Sequence, residues 1–210
     1  MPKPLATDAP AACQSPPSLP NGDVVYSSLL VGSVANYSCN DDYIFCGLSL
    51  SSVCDLSGSW NGLNGSCERV AFYNVTPPFK MSIPGEIRVG WKAEVLGTPL
   101  NVSRIALNLL YAADIVLRIG IRFDYHNDIN TVVFSSIIAN KWVAIHSYKT
   151  AFPFAIGRRF NLTILMKNSE FEVYVDEVVV AARASNVSIT LIDAFQVGPG
   201  CVVDSVKFFN

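Results

Sequence analysis

Ile121-Arg122-Phe123-Asp124-Tyr125-His126 alternates apolar and polar side chains residue by residue. Successive side chains of an extended strand point to opposite faces. The stretch therefore sends Ile121, Phe123 and Tyr125 toward a core, and Arg122, Asp124 and His126 outward. Working outward from it, period-two runs recur at 89–95, 104–110, 114–124, 132–137, 141–145, 159–167, 170–175, 177–182, 189–195 and 202–208. Turn residues such as Asn168-Ser169 and Asp176 separate them, and no helical period is sustained in this half. Many short, evenly spaced strands predict an all-β domain of two packed sheets or a barrel.

The front of the chain has a different chemistry. Five of the six cysteines, Cys13, Cys39, Cys46, Cys54 and Cys67, fall within the first 67 residues. So short a segment, poor in aliphatic residues, needs cross-links to stay folded. Spacing alone leaves three pairings open for Cys13, Cys39, Cys54 and Cys67. The shift in composition predicts an extended segment at 1–12, a stapled module at 13–67, a short linker at 68–71 and the β-domain at 72–210.

Stable disulfides call for an oxidising compartment, so a secreted, extracellular protein is expected. The triplet Asn-x-Ser/Thr occurs six times, at Asn36, Asn64, Asn74, Asn101, Asn161 and Asn186, a surplus that fits passage through the glycosylation machinery. Met1-Pro-Lys-Pro-Leu5 lacks the apolar stretch of a secretory leader, and the expectation is a mature fragment with an added start methionine. A net charge of −2 and a pI near 5.6 offer no basic stripe for nucleic acid. Apolar runs are broken by charged residues well short of a membrane span, so no membrane insertion is expected. The two histidines, His126 and His146, lie in no nucleophile-elbow or zinc signature, and no glycine-rich phosphate loop is present. Neither enzymatic activity nor a cofactor is expected.

Two resemblances sharpen this reading. Cys13, Pro20-Asn21-Gly22, Tyr26, Gly32, Tyr37-Ser38-Cys39, Tyr43, Gly47, Cys54, Gly58-Ser59-Trp60 and Cys67 together resemble a sushi, or complement control, module over residues 13–67. The resemblance implies the pairs Cys13–Cys54 and Cys39–Cys67. Cys46 and Cys201 are then left over, and a bond between them is expected, locking the two modules together. In the rear half, Pro78-Phe79, Ile83-Pro84-Gly85 and Gly90 come first, followed by Arg104-Ile-Ala-Leu-Asn-Leu-Leu110 and Asp114-Ile-Val-Leu-Arg-Ile119. Val132-Val133-Phe134-Ser135, Trp142, Phe152-Pro153-Phe154, Gly157, Phe160-Asn-Leu-Thr-Ile164 and Phe171-Glu-Val-Tyr-Val175 follow in order. This half resembles a galectin carbohydrate-recognition domain, which implies a jelly-roll sandwich that binds β-galactosides.

Galectins carry His-x-Asn-x-Arg on one strand, Val-x-Asn on the next and Trp-Gly-x-Glu-x-Arg on a third. Aligned on the 121–126 stretch, the first pattern falls on Arg122, Asp124 and His126, and the second asparagine is Ser135. Trp142 is retained, whereas Val143, Ile145 and Ser147 replace its glycine, glutamate and arginine. Arg122, Asp124, His126, Ser135 and Trp142 thus form the candidate carbohydrate site, with polar groups for hydroxyls and an aromatic plate for the apolar sugar face. The expected function is extracellular recognition by a galectin-like lectin of altered or weakened specificity, with a glycan or glycoprotein as partner. The alternative is a scaffold that contacts a cell-surface protein.

Overall fold

The computed structural model describes residues 11–148, 152–168, 170–185 and 188–210, with backbone alone at 144 and 145. Two compact units divide between Arg69 and Val70. In the front unit, β1 (Gly22–Tyr26), β2 (Val34–Cys39), β4 (Ser51–Cys54) and β5 (Trp60–Asn61) form one sheet in the order β1-β2-β4-β5. β3 (Tyr43–Ser49) pairs with β6 (Asn64–Arg69). Gly47 lies opposite Gly65 in that ladder, and a Cβ on Gly47 would stand 2.4 Å from the Gly65 Cα. Only glycine allows this approach.

The buried core of the front unit is small: Leu19, Ala35, Tyr37 and Cys67, with Val24, Tyr43, Trp60 and Leu63 packed against it. Tyr37 shares a buried 3.0 Å hydrogen bond with Ser52, and Trp60 Nε1 donates to the Gln14 carbonyl at 2.7 Å. Disulfides join Cys13 to Cys54 and Cys39 to Cys67. Beyond Cys54, the Asp55 carboxylate accepts from the Ser57 hydroxyl and from the Ser59 and Ser57 amides, closing the β4–β5 turn. These bonds, the Ser57 hydroxyl foremost, hold its pKa below the usual value. The expected linker at 68–71 is mostly strand, because β6 runs through Arg69 and β7 begins at Ala71.

The rear unit consists of β7 (Ala71–Val75), β8 (Phe79–Ser82), β9 (Lys92–Pro99), β10 (Arg104–Tyr111), β11 (Asp114–Tyr125) and β12 (Asp128–Ile138). It continues with β13 (Lys141–Tyr148), β14 (Phe160–Lys167), β15 (Glu170–Val175), β16 (Val178–Ala184), β17 (Ala194–Val197) and β18 (Cys201–Phe209). They make two six-stranded antiparallel sheets, β13-β12-β11-β10-β17-β8 and β16-β15-β14-β9-β18-β7. β9, β14 and β15 alternate buried and half-buried residues along nearly their whole length, as one face of a sandwich requires. Phe195 on β17 meets Phe208 on β18 edge-on at 6.0 Å, so the aromatic core joins the two sheets.

Three expectations change. The strand expected at 189–195 opens as a 3₁₀ turn over Ile189–Leu191 and becomes strand only at Ala194. The one expected from residue 89 begins at Lys92, because the Trp91 amide donates to the Arg88 carbonyl at 2.9 Å around Gly90, whose φ is 95°. The Cys46–Cys201 bridge is not made: the disulfides among the described residues are the two of the front unit. Cys201 instead turns into the sandwich core at the start of β18, where burial pushes its thiol up to about 11. A thiol that is protonated and enclosed is a poor nucleophile. Iodoacetamide at pH 8 should therefore leave Cys201 unlabelled in the native protein and modify it fully in guanidinium, as read by peptide mass. Rapid native labelling would show that β18 does not hold the sulfur inward.

Candidate functional site

The face of the first sheet turned away from the core is built from rows of directly opposed residues. One row runs Gln196–Asn108–Arg118–Ser135 across β17, β10, β11 and β12. The next is Ala106–Gly120–Val133, and the third Arg104–Arg122–Thr131. The residues between them, Leu107–Ile119–Phe134 and Ile105–Ile121–Val132, are buried in the sandwich. Strand alternation therefore fixes which side chains face the surface.

The middle row carries only small side chains between two polar rows. The result is a trough whose floor is Ala106, Gly120 and Val133. A Cβ on Gly120 would fit in ordinary contact, with the Val133 carbonyl nearest at 3.5 Å, so its absence lowers the floor of the trough by one methyl group. At one end is a cavity of about 170 Å³ lined by Arg104, Arg118, Gly120, Arg122, Ser135 and Trp142, with Tyr125 and His126 at its rim. Ser135 is 2% exposed at its base, and Trp142 stands 54% exposed on β13.

Three arginines dominate the charge of this cavity. Arg122 forms an ion pair with Asp128 across the β11–β12 turn. Arg104 lies directly opposite Arg122, an arrangement of like charges that costs stability. The Tyr125 ring offsets part of that cost, with the Arg104 and Arg122 guanidiniums 4.2 and 5.4 Å from its centroid. Arg118 lies 5.7 Å from the Trp142 ring. Burial, and then the repulsion of Arg104 and Arg122, lower the Arg118 pKa. Among the described residues, neither Arg104 nor Arg118 has a carboxylate partner.

The structure brings Arg122, His126, Ser135 and Trp142 into one cavity, and leaves Asp124 outside its lining. Asp124 lies exposed near the end of β11, and the Ser103 carbonyl accepts from its amide at 3.2 Å. Arg122 pairs with Asp128 rather than with Asp124. His126 does not continue the strand; β11 ends at Tyr125 and His126 opens the turn with φ 50°. Tyr125, expected in the core, instead lies under the two guanidiniums. Arg104, Arg118 and Gly120 are cavity residues that the alternation pattern did not single out. Of the residues aligned with the third galectin pattern, Ser147 and Val143 do not line the cavity, and the side chain of Ile145 lies outside the described residues.

Residues 13–67 match the sushi repeat, and residues 78–208 match the galactoside-binding lectin family. The chain is 30% identical over 104 residues to galectin-3 of Cricetulus longicaudatus, covering 49% of this chain and 42% of that protein. It thus spans less than half the length of that relative. Over 59 residues, or 28% of this chain, it is 41% identical to the sushi, von Willebrand factor type A, EGF and pentraxin domain-containing protein 1 of Rattus norvegicus, covering 2% of that protein. Among solved structures, the Caenorhabditis elegans galectin LEC-6 superposes with a TM-score of 0.61 at 20% identity, over 67% of this chain and 96% of that one. The rear unit therefore has the galectin fold, and the chain, a sushi repeat followed by a galectin domain, belongs to the galactoside-binding lectin family.

Proposed function

We propose that this is a secreted lectin whose sugar lies in the trough, with one pyranose resting against Trp142 and its hydroxyls bonded by Arg122, Arg118 and Ser135. The observation that carries this reading is an exposed indole beside a polar-walled trough on the sheet, at the position where the family retains its tryptophan. We place the His-x-Asn-x-Arg positions at Arg118, Gly120 and Arg122, four residues earlier than the frame read from the strand alone. In support, Arg118 and Gly120 lie directly opposite Ser135 and Val133, the Val-x-Asn pair of the neighbouring strand. In this frame the family's arginine survives as Arg122, held by Asp128, while the histidine is Arg118 and the first asparagine is gone.

A lost hydrogen-bonding partner costs about 1–3 kcal/mol at a desolvated contact. Gly120 and Ser135, which stand where the family has asparagines, should therefore weaken a plain galactoside and leave the aromatic plate a larger share of the affinity. Trp142→Ala is expected to lower affinity for the best-bound glycan on an array at least about tenfold, which corresponds to roughly 1.4 kcal/mol. Equal signal from wild type and variant would overturn the assignment of this face.

Exposed Asn36, Asn64, Asn74 and Asn101 are the acceptors best placed for N-glycans, whereas Asn161 is half-buried on β14 and Asn186 lies outside the described residues. The second reading, contact with a cell-surface protein, is favoured by the front unit. There Val25, Val34 and Val53 are exposed on β1, β2 and β4, with Val34 directly opposite Val53. Silence of every glycan on the array, with Trp142→Ala indistinguishable from wild type, would favour it.

A further inference from the structure

The outward face of the front sheet is apolar where an open sheet face is ordinarily polar. Val25, Val34 and Val53 are 70, 45 and 43% exposed. Register and burial place them together. Val34 lies directly opposite Val53, and Val25 directly opposite Asn36. On β2, Ala35 and Tyr37 are buried while Val34, Asn36 and Ser38 are exposed, so Val34 and Asn36 share the open side. Ser51 opposes Asn36 from β4, which puts Val53 diagonally across from it. Directly opposed Cβ atoms stand about 4.5–5.5 Å apart and diagonal neighbours about 7–8 Å. Asn36 is thus in the midst of the three valines, and all of them lie within reach of one group carried on its side chain.

The sequence supplies such a group. Asn36-Tyr37-Ser38 is an acceptor triplet for N-glycosylation, and its asparagine and serine both sit on the open side of the sheet. A glycan there is accommodated without moving the strand. The amide-linked hexosamine carries an acetamide methyl group and an apolar C–H face, which suit valine methyls, while its hydroxyls remain in water. Exposed apolar patches mark surfaces that something else covers. Here the attachment point of the cover lies inside the patch, so a protein partner would meet the glycan before it met the valines.

We propose that Asn36 carries an N-linked glycan whose first sugars lie over Val25, Val34 and Val53 and close this face to protein contact. The glycan arrives from a lipid-linked oligosaccharide pyrophosphate. The bond from Asn36 Nδ2 to the sugar's anomeric carbon forms as the carbon–oxygen bond to the pyrophosphate breaks, and the proton lost from Nδ2 leaves with the lipid carrier. This inference rests on the secreted reading, and gives the valines an occupant from the chain itself in place of a cell-surface protein.

The test is hydroxyl-radical footprinting of the full chain, expressed behind a secretory leader in animal cells and read by peptide mass after enzymatic release of the glycans. Release by an amidase converts an occupied Asn36 to aspartate, so the same spectra report its occupancy, which should be high. Ser38→Ala removes the triplet but keeps the asparagine. It should raise oxidation of Val25, Val34 and Val53 about threefold or more, as apolar side chains return to solvent. Oxidation of Val89, 63% exposed on the rear unit, should not change. Asn36→Gln should repeat the Ser38→Ala result, and Ser38→Thr, which preserves the triplet, should match wild type. Tyr37, buried between the two positions, should stay unoxidised in every variant and so report an intact front unit. An occupied Asn36 with the valines equally oxidised in wild type and Ser38→Ala would overturn the inference and leave the face open to a protein partner. An unoccupied Asn36 beside glycans at other acceptors would overturn it while leaving the secreted reading in place; no glycan on any acceptor would remove both.

Discussion

Replacing Cys39 and Cys67 together by serine is expected to unfold the front unit and leave the rear unit folded. The front unit's buried core is four residues, one of them the Cys67 half-cystine itself. Domains this small bury too little apolar surface to be stable by packing alone. The Cys39–Cys67 bond closes a loop of sequence separation 28, and its loss releases about 3–4 kcal/mol of chain entropy to the unfolded state. That is most of the few kcal/mol such a core supplies. The rear unit has its own extensive aromatic and aliphatic core, with no disulfide in it. Limited proteolysis should cut the variant throughout 11–69 within minutes and spare the segment from residue 70 onward. Survival of the front unit under conditions that digest an unfolded control would mean that the Cys13–Cys54 bond and the small core suffice.

The contrast between the two units also explains what could be read from the residues alone. Cysteines, glycines and an aromatic at fixed spacings are local signals, and the pairing implied by the sushi resemblance is the pairing observed. In the rear unit, alternation gave the strand type and nearly all the strands, since one buried face leaves a period-two trace wherever the sheet is half-exposed. The short edge strands β7 and β8 carry little of that trace and were not anticipated.

The site was legible only in outline, for a reason inherent in the pattern. A period of two is unchanged by a shift of two or four residues, so the strand around Arg122 says which face is polar but not where along it the ligand lies. Pairing with β12 supplies the register on which the proposed frame rests, and pairing is not written in either strand. Gly120 and Ala106 were missed for another reason: they shape the trough by what they lack. Tyr125 reads as a core residue by alternation, yet as the last residue of β11, next to the turn at His126, it has its ring against Arg104 and Arg122. The Cys46–Cys201 bond was inferred from parity, whereas burial at the first residue of β18 decides where that sulfur goes.

Phe134→Ala should have the largest effect on the rear unit, and it connects the core to the trough. Phe134 is fully buried on β12, opposite Ile119 and His146, with the Tyr148 ring edge-on at 5.3 Å. Its removal leaves a cavity in close-packed surroundings and should cost about 3–5 kcal/mol, a large part of the roughly 5–15 kcal/mol that stabilises a typical domain. Guanidinium unfolding should show a lower midpoint at an unchanged slope, which marks a loss of stability without a change in the surface exposed. Val133 and Ser135, on either side of Phe134, turn the opposite way and form the floor and base of the trough. Loosening the ring beneath them should therefore weaken glycan binding even at temperatures where the variant is still folded. Phe134→Met, which preserves most of the volume, should cost about 1.5 kcal/mol or less and keep the affinity near wild type. A Phe134→Ala protein that loses under 1 kcal/mol and binds as before would show that β12 is not anchored through this ring, and that the floor of the trough is held from the β11 side alone.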